Sequence, residues 1–99
     1  MKNRLIILVI GFIVSTQAQA DIKEEIITRC RSQMSDYGSA LVKACVDQDL
    51  EALPSLVEYK DKYPKLFNRC LTQMKKYGYS MVKACVDQDI EAEDALRRY

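Results

Sequence analysis

The chain has 99 residues, of which 15 are basic and 14 acidic, with no histidine and no tryptophan. A formal net charge of +1 provides little attraction for a phosphate backbone or an anionic lipid surface, so nucleic acid and membrane-surface ligands are disfavoured. Without histidine, the chain lacks the commonest general base and the imidazole ligand of mixed zinc sites, so a catalytic triad or a metal centre of that kind is not expected.

Residues 1–20 have the features of a cleaved export signal. Two basic residues precede an apolar run at 5–14, and Ala18-Gln19-Ala20 matches the small-x-small pattern of signal peptidase sites. The alternative is a membrane anchor, but crossing the hydrocarbon layer takes roughly 20 apolar residues and this run is shorter. We therefore expect cleavage before residue 21, no membrane insertion afterwards, and a periplasmic or secreted protein. Cleavage leaves 13 basic and 14 acidic side chains, a net charge of −1.

The segment after the leader has the apolar spacing of a helical hairpin. Its first stripe recurs at intervals of four and three, a helical period, and consists of Ile22, Ile26, Cys30, Met34 and Tyr37. Gly38 follows, and glycine commonly ends a helix because it adopts positive φ without steric cost. A second stripe begins at Val42, and Ser39 is expected to cap that helix, with Ser80 in the same role one residue later in the second half of the chain. A continuous helix with an internal glycine, at a cost of about 1 kcal/mol, is the alternative.

A stretch from Pro54 to Pro64 is expected to join this hairpin to the rest of the chain. Residues 55–63 fit a short helix with Leu56 and Val57 on its inner side. Pro64 suits the first turn of a following helix, where its missing N–H would have had no partner.

The second half of the chain repeats the first. Residues 26–59 align without a gap on residues 66–99, and the identical pairs include Arg29/Arg69, Cys30/Cys70, Gln33/Gln73, Met34/Met74, Tyr37/Tyr77, Gly38/Gly78 and the whole block 42–49 with 82–89. The repeat predicts an all-α fold: a single domain over residues 21–99, built from two tandem disulfide-closed hairpins of about four helices. We call residues 22–59 unit 1 and residues 62–99 unit 2.

Four cysteines in an exported chain indicate a disulfide framework. In an antiparallel hairpin, residues equidistant from the turn face each other, and this condition pairs Cys30 with Cys45 and Cys70 with Cys85. In one continuous helix the sulfurs of each pair would lie roughly 22 Å apart. Pairing between units, Cys30 with Cys70 or Cys85, is the alternative if the hairpins pack with their cysteine faces together.

One acidic cluster occurs in both units, with Asp47 and Asp49 in the first and Asp87 and Asp89 in the second. Carboxylates at alternate positions are found in calcium loops, but the central glycine and the terminal bidentate acid of such a loop are missing. Lysines four residues before Asp47 and Asp87 favour surface ion pairs. A solvated helical face is the main interpretation, and a partner-binding or weak cation site formed by the four aspartates is the alternative.

The chain has six tyrosines, which serve as core-edge residues or as interface anchors. Tyr37 and Tyr77 fall at the hairpin turns, while Tyr59 and Tyr99 close the two units. Tyr79, which replaces Ser39 of unit 1, is the best candidate for contact with a partner.

These features predict a non-catalytic protein-binding module of the bacterial periplasm, without a cofactor or a metal. A more specific hypothesis is an immunity or inhibitor protein against a periplasmic toxin or hydrolase. A second is a self-associating structural or stress-related envelope protein, which would form a homo-oligomer. An enzyme or thiol-redox factor is disfavoured because the chain has neither histidine nor a Cys-x-x-Cys motif.

Overall fold

A computed structural model of the protein describes residues 21–99, so the predicted export signal lies outside the described residues. Within this range the chain forms four helices and no strand, which confirms the predicted all-α fold. The helices are α1 (residues 21–34), α2 (Ser39–Lys62), α3 (Pro64–Met74) and α4 (Tyr79–Arg97).

The two hairpin turns have the same backbone conformation. A short 3-10 helix precedes each glycine, at Ser35–Tyr37 and Lys75–Tyr77. Gly38 has φ 100° and ψ 162°, and Gly78 has φ 114° and ψ 161°. This combination is essentially confined to glycine, because a Cβ would clash with the neighbouring backbone.

Each glycine also starts the helix that follows it. The Gly38 carbonyl accepts hydrogen bonds from the N–H groups of Leu41 at 3.2 Å and Val42 at 3.3 Å. Ser39 is therefore the first residue inside α2 rather than its cap, and no side chain caps this end. The predicted serine caps were wrong, in unit 2 as well, because the glycine occupies the cap position and Ser80 lies inside α4.

Both disulfides lie within the units, Cys30–Cys45 and Cys70–Cys85, as the hairpin symmetry predicts. Their Cα atoms are 5.8 Å and 5.7 Å apart, within the range that a disulfide spans. Closing a loop of this length stabilises the folded state by about 3 kcal/mol in the chain-entropy model. Disulfides of this kind are typical of chains that fold in an oxidising compartment or outside the cell.

The segment 54–64 is not the predicted linker, because α2 continues through Pro54 to Lys62. Proline inside a helix costs about 3 kcal/mol, since it removes one hydrogen bond and crowds the preceding turn. Ala52 and Leu56, on either side of Pro54, are buried against unit 2, and this burial offsets the cost. Leu56 faces inward as expected, whereas Val57 is exposed, contrary to the prediction.

The chain breaks instead at Tyr63, between α2 and α3. Tyr63 has φ −130° and ψ 60°, outside the helical region, because the ring of the following proline disfavours the helical conformation there. Pro64 then starts α3 in its first turn, as predicted.

The core of the fold lies between the two units. It combines the C-terminal half of α2 with α3 and α4, and its members are Ala52, Leu56, Phe67, Cys70, Val82 and Val86. Ile26 and Cys30 of α1 are buried as well. Unit 1 and unit 2 therefore stabilise each other through an apolar interface, in addition to the disulfide that closes each of them.

Candidate protein-binding surface

A buried ion pair of unit 1 holds the start of α4. Asp49 is 1% exposed, and its Oδ2 lies 2.6 Å from Nη2 of Arg29. The backbone N–H groups of Tyr79 and Ser80, the first two residues of α4, donate to the two oxygens of this carboxylate at 3.1 Å each. An acceptor with negative charge suits this position, because the first N–H groups of a helix lack partners within the helix and carry positive partial charge.

The same ion pair explains why residue 78 has no side chain. A Cβ at Gly78 would lie 2.6 Å from Nη2 of Arg29 and 2.9 Å from Oδ1 of Asp49. The guanidinium group is itself held between helices, with Nη2 3.3 Å from Sγ of Cys30 and 3.4 Å from Sγ of Cys45. Gln33 completes the contact, since its Oε1 accepts a hydrogen bond from Arg29 at 2.7 Å and its Nε2 donates to the Lys76 carbonyl at 3.0 Å.

We call the side of unit 1 that makes these contacts its rear face. It consists of Ile26, Arg29, Asp49, Ala52 and Leu56. The side of unit 2 that packs against it is the front face of unit 2, formed by Phe67, Leu71, Val82 and Val86. Because the sequence repeats, unit 2 has a rear face of its own, at Leu66, Arg69, Asp89, Ala92 and Leu96. Unit 1 likewise has a front face, at Ile27, Arg31, Val42 and Val46.

The rear face of unit 2 is open. Arg69 and Asp89 form the same ion pair as Arg29 and Asp49, but their side chains are 52% and 38% exposed. Leu96 is 59% exposed, whereas the equivalent Leu56 of unit 1 is 4% exposed. The five residues of this rear face line a groove of about 550 Å³. A set of side chains that is covered in unit 1 is thus accessible in unit 2.

The front face of unit 1 is open as well. Ile27, Val42 and Val46 are only partly buried and line a groove of about 690 Å³. Their equivalents in unit 2 are all buried in the core. A Cβ at Gly38 would meet no atom within 4 Å, so the space that Arg29 and Asp49 occupy at the second turn is empty at the first.

The four aspartates of the acidic cluster have three different environments. Asp49 is buried, contrary to the interpretation as a solvated face, and Asp89 is exposed in the rear face of unit 2. Asp47 accepts from Lys43 at 2.7 Å, the ion pair that the spacing predicts, and the hydrogen bond raises the pKa of Lys43. Asp87 accepts from Lys83 at 2.7 Å. The structure therefore does not bring the four carboxylates together.

Asp87 also accepts a hydrogen bond from the Tyr59 hydroxyl, which joins α2 to α4. Burial alone would raise the pKa of Asp87, but the hydrogen bonds from Lys83 and Tyr59 outweigh it, and this pKa is lowered. The bond to the Asp87 carboxylate raises the pKa of Tyr59 to about 12, and burial adds to the effect. This contact is a further polar link between the units.

Tyr79, the tyrosine expected at a partner surface, lies at the boundary between the units. Its side chain is half-buried, and its hydroxyl lies 3.4 Å from Glu25 of α1. Burial, with the nearby Glu25 carboxylate, raises the pKa of Tyr79. Tyr37 and Tyr77, at the two turns, are both exposed.

Donor atoms of Cys70, Cys85 and Asp89 lie within 4.8 Å of one another. The two sulfurs are joined in the disulfide, and thiolate rather than disulfide sulfur is the form that ligates a metal. This group therefore supplies one carboxylate and no thiolate in the oxidised protein.

No sequence motif indicated a role for Arg29, Gln33 or Arg69. The repeat contained a signal for them, because an arginine stands beside the first cysteine of each unit and an aspartate stands one helical turn beyond the second. In a disulfide-closed hairpin these positions come close enough for an ion pair.

Comparison with family models, with curated proteins and with solved structures finds no match. Among residues 21–99, no helix combines the length and the apolar character that crossing a membrane requires.

Proposed function

We propose that this chain is a non-catalytic protein-binding module exported to the bacterial periplasm, and that the rear face of unit 2 is its binding surface. The observation that carries the proposal is the contrast between the two rear faces. In unit 1 this set of residues already binds a protein segment, the glycine turn and first helical turn of α4. In unit 2 the same ion pair and the same apolar positions lie exposed around a groove.

The chemistry of the groove defines the segment that it fits. The Asp89 carboxylate offers acceptors for the free N–H groups at the start of a helix, as Asp49 does within the chain. Arg69 beside it leaves no room for a side chain at the residue before that helix, so a glycine fits there best. Leu66, Ala92 and Leu96 provide apolar area next to this polar centre, an arrangement typical of interfaces with a few well-placed anchors.

A photoreactive amino acid at position 92, inside the groove, tests the proposal in the native cell. We expect a discrete adduct with another polypeptide. The matched control is the same amino acid at position 60, an exposed position of α2 outside the groove, which should give no adduct. The substitution Asp89→Lys should abolish the adduct at position 92, because it replaces the acceptor by a cation. Equal adducts from positions 92 and 60, or none from position 92, would overturn the proposal.

A further inference from the structure

We propose that the polypeptide bound by the rear face of unit 2 is a second copy of this chain, which presents the front face of its unit 1. This inference rests on the proposed function and names the partner of the same surface. Its basis is that the interface between units 1 and 2 of one chain is a complete template for the contact between unit 2 of one copy and unit 1 of the next.

The polar part of the template recurs residue by residue. Within the chain, Arg29 and Asp49 hold the turn at Gly78. The equivalents in the contact between copies are Arg69 and Asp89 on one side, and the turn at Gly38, with the free space beside it, on the other. All of these residues are identical between the units.

Two further hydrogen bonds of the template have equivalents whose partners are accessible in the single chain. Within the chain, Gln33 donates to the carbonyl of Lys76. In the contact between copies the equivalent donor is Gln73, which is exposed, and the equivalent acceptor is the carbonyl of residue 36 of the second copy. Tyr59 donates to Asp87, and the equivalent pair is Tyr99 with Asp47 of the second copy. Tyr99 is 98% exposed, and the side chain of Asp47 is 48% exposed.

The apolar part of the template recurs with smaller side chains. Val42 and Val46 of the front face of unit 1 are identical to the buried Val82 and Val86, while Ile27 replaces Phe67. Ser39 stands in the place of Tyr79. The contact between copies therefore buries less apolar area than the internal one, so it is the weaker of the two and dissociates on dilution.

The positions that differ between the units introduce complementary charges. On the front face, Arg31 of unit 1 replaces Leu71. Around the rear groove of unit 2, Glu93 and Asp94 replace Leu53 and Pro54. Arg97, which replaces Val57, adds a cation to the same groove, 3.7 Å from Asp94. These substitutions therefore add a net charge of −1 around the rear groove and +1 on the front face, and both faces are open in the single chain. Opposite charges on the two faces favour their contact and make it sensitive to salt.

The two faces belong to different units, so the contact is heterologous and each added copy presents a new open rear face. Such an interface builds an open chain of copies unless the rotation between them closes a ring. Each copy then contacts only its neighbours, as in other repeat arrays.

Complementation between two variants of the purified protein tests this arrangement. Asp89→Lys disables the rear face, and Arg31→Glu disables the front face by placing an acid against Glu93 and Asp94. Arg31 is exposed and the side chain of Asp89 is 38% exposed, and neither residue belongs to the core. In sedimentation velocity we expect the unaltered protein to self-associate with increasing concentration, and each variant alone to associate at least about tenfold more weakly. A mixture of the two variants should form a one-to-one complex, because each retains the face that the other lacks.

The control Lys60→Glu lies outside both faces and should associate like the unaltered protein. If Arg31→Glu alone self-associates like the unaltered protein, the contact is a symmetric one between two rear faces. If the unaltered protein stays monomeric at millimolar concentration, the copies do not make the proposed contact. Either result overturns the head-to-tail arrangement. The photocrosslinking experiment at position 92 distinguishes failure of the head-to-tail arrangement from failure of the proposed function. A mass that is not a multiple of the chain mass identifies a different protein partner, whereas no adduct at all rejects both proposals.

Discussion

The two Tyr-Gly turns differ in surroundings although their backbones are the same. Gly78 is buried against the Arg29–Asp49 ion pair, whereas Gly38 has no atom near the position of its missing side chain. Both glycines are required by positive φ, but only Gly78 is also required by close contact with other residues. The comparison shows how one repeated sequence forms the contact between the units in one place and leaves the equivalent residues exposed in the other.

The two ion pairs show the same asymmetry in energetic terms. In the first pair Asp49 is 1% exposed and Arg29 17% exposed, and the Asp49 carboxylate accepts three hydrogen bonds, whereas in the second pair Arg69 is 52% and Asp89 38% exposed. Removing one partner of a buried pair leaves an unpaired charge in the interior and costs about 3–5 kcal/mol, whereas exposed pairs contribute about 0–1 kcal/mol. Matched substitutions in the two units should therefore have very different effects.

The largest contrast is expected between Asp49→Ala and Asp89→Ala. Asp49→Ala leaves the Arg29 guanidinium and two backbone N–H groups of α4 without their acceptor, so it should lower the free energy of unfolding by about 3–5 kcal/mol. Asp89→Ala should lower it by at most about 1 kcal/mol. Urea unfolding of the dilute protein, followed by circular dichroism, measures both. If both variants lose the same free energy of unfolding, Asp49 does not stabilise the contact between the units.

A smaller difference is expected between Gly78→Ala and Gly38→Ala. Both place alanine in a region of positive φ, at a cost of about 1–3 kcal/mol. At Gly78 the new Cβ must also displace Arg29 from Asp49, which should add about 1–3 kcal/mol because buried hydrogen bonds are lost. Thermal unfolding of the two variants side by side gives the difference, in which the shared backbone cost cancels. If Gly38→Ala lowers the stability more than Gly78→Ala does, the close contact of Gly78 with Arg29 and Asp49 does not contribute as we expect.

The hairpins and their disulfides could be predicted from the sequence because they depend on local features. The position of each glycine fixes the turn, and the equal distance of Cys30 and Cys45 from the centre of the Tyr37-Gly38 pair then selects the pairing. Pro54 shows the opposite case, because the sequence predicts a break there and the structure has a continuous helix. Its local preference is overridden by burial of Ala52 and Leu56 against residues far along the chain.

The different burial of Asp49 and Asp89 could not be predicted from local sequence at all. Both residues lie in the same stretch, Val-Lys-Ala-Cys-Val-Asp-Gln-Asp, on the same kind of helix. Asp49 is buried only because unit 2 packs on the rear face of unit 1, and the described residues include no third unit to cover Asp89. The burial of each aspartate therefore depends on whether another unit packs on its rear face, and the residues next to the aspartate do not determine this.

The smallest contrast concerns the Tyr59–Asp87 hydrogen bond, which joins the units, and Tyr99, its exposed equivalent. Tyr59→Phe should cost about 1 kcal/mol at neutral pH, because the bond is made to a carboxylate but is only partly shielded from water. Tyr99→Phe should have no measurable effect in the dilute protein. Urea unfolding compares the two variants with the unaltered chain.

The pH dependence of unfolding sharpens this test. The pKa of Tyr59 is raised from 10.0 to about 12 in the folded chain, so the folded state holds the hydroxyl proton more tightly than the unfolded state. The stabilisation from this bond is therefore complete below pH 10 and is lost as the pH rises towards 12. The pKa of Asp87 is lowered, so its contribution is present above the ordinary value of 3.8 and is lost as the pH falls below it.

Tyr59→Phe should reduce the alkaline loss of stability and weaken the acidic loss. Tyr79, whose pKa is also raised, accounts for the alkaline loss that remains. Tyr99→Phe should leave both losses unchanged. Stability is followed after a rapid pH jump, before hydroxide attacks the disulfides, and tyrosinate absorbance reports the ionisation directly. An alkaline loss of stability that is undiminished in Tyr59→Phe would assign the whole loss to other groups, Tyr79 among them. The link between α2 and α4 would then depend on the apolar core and on Asp49 alone.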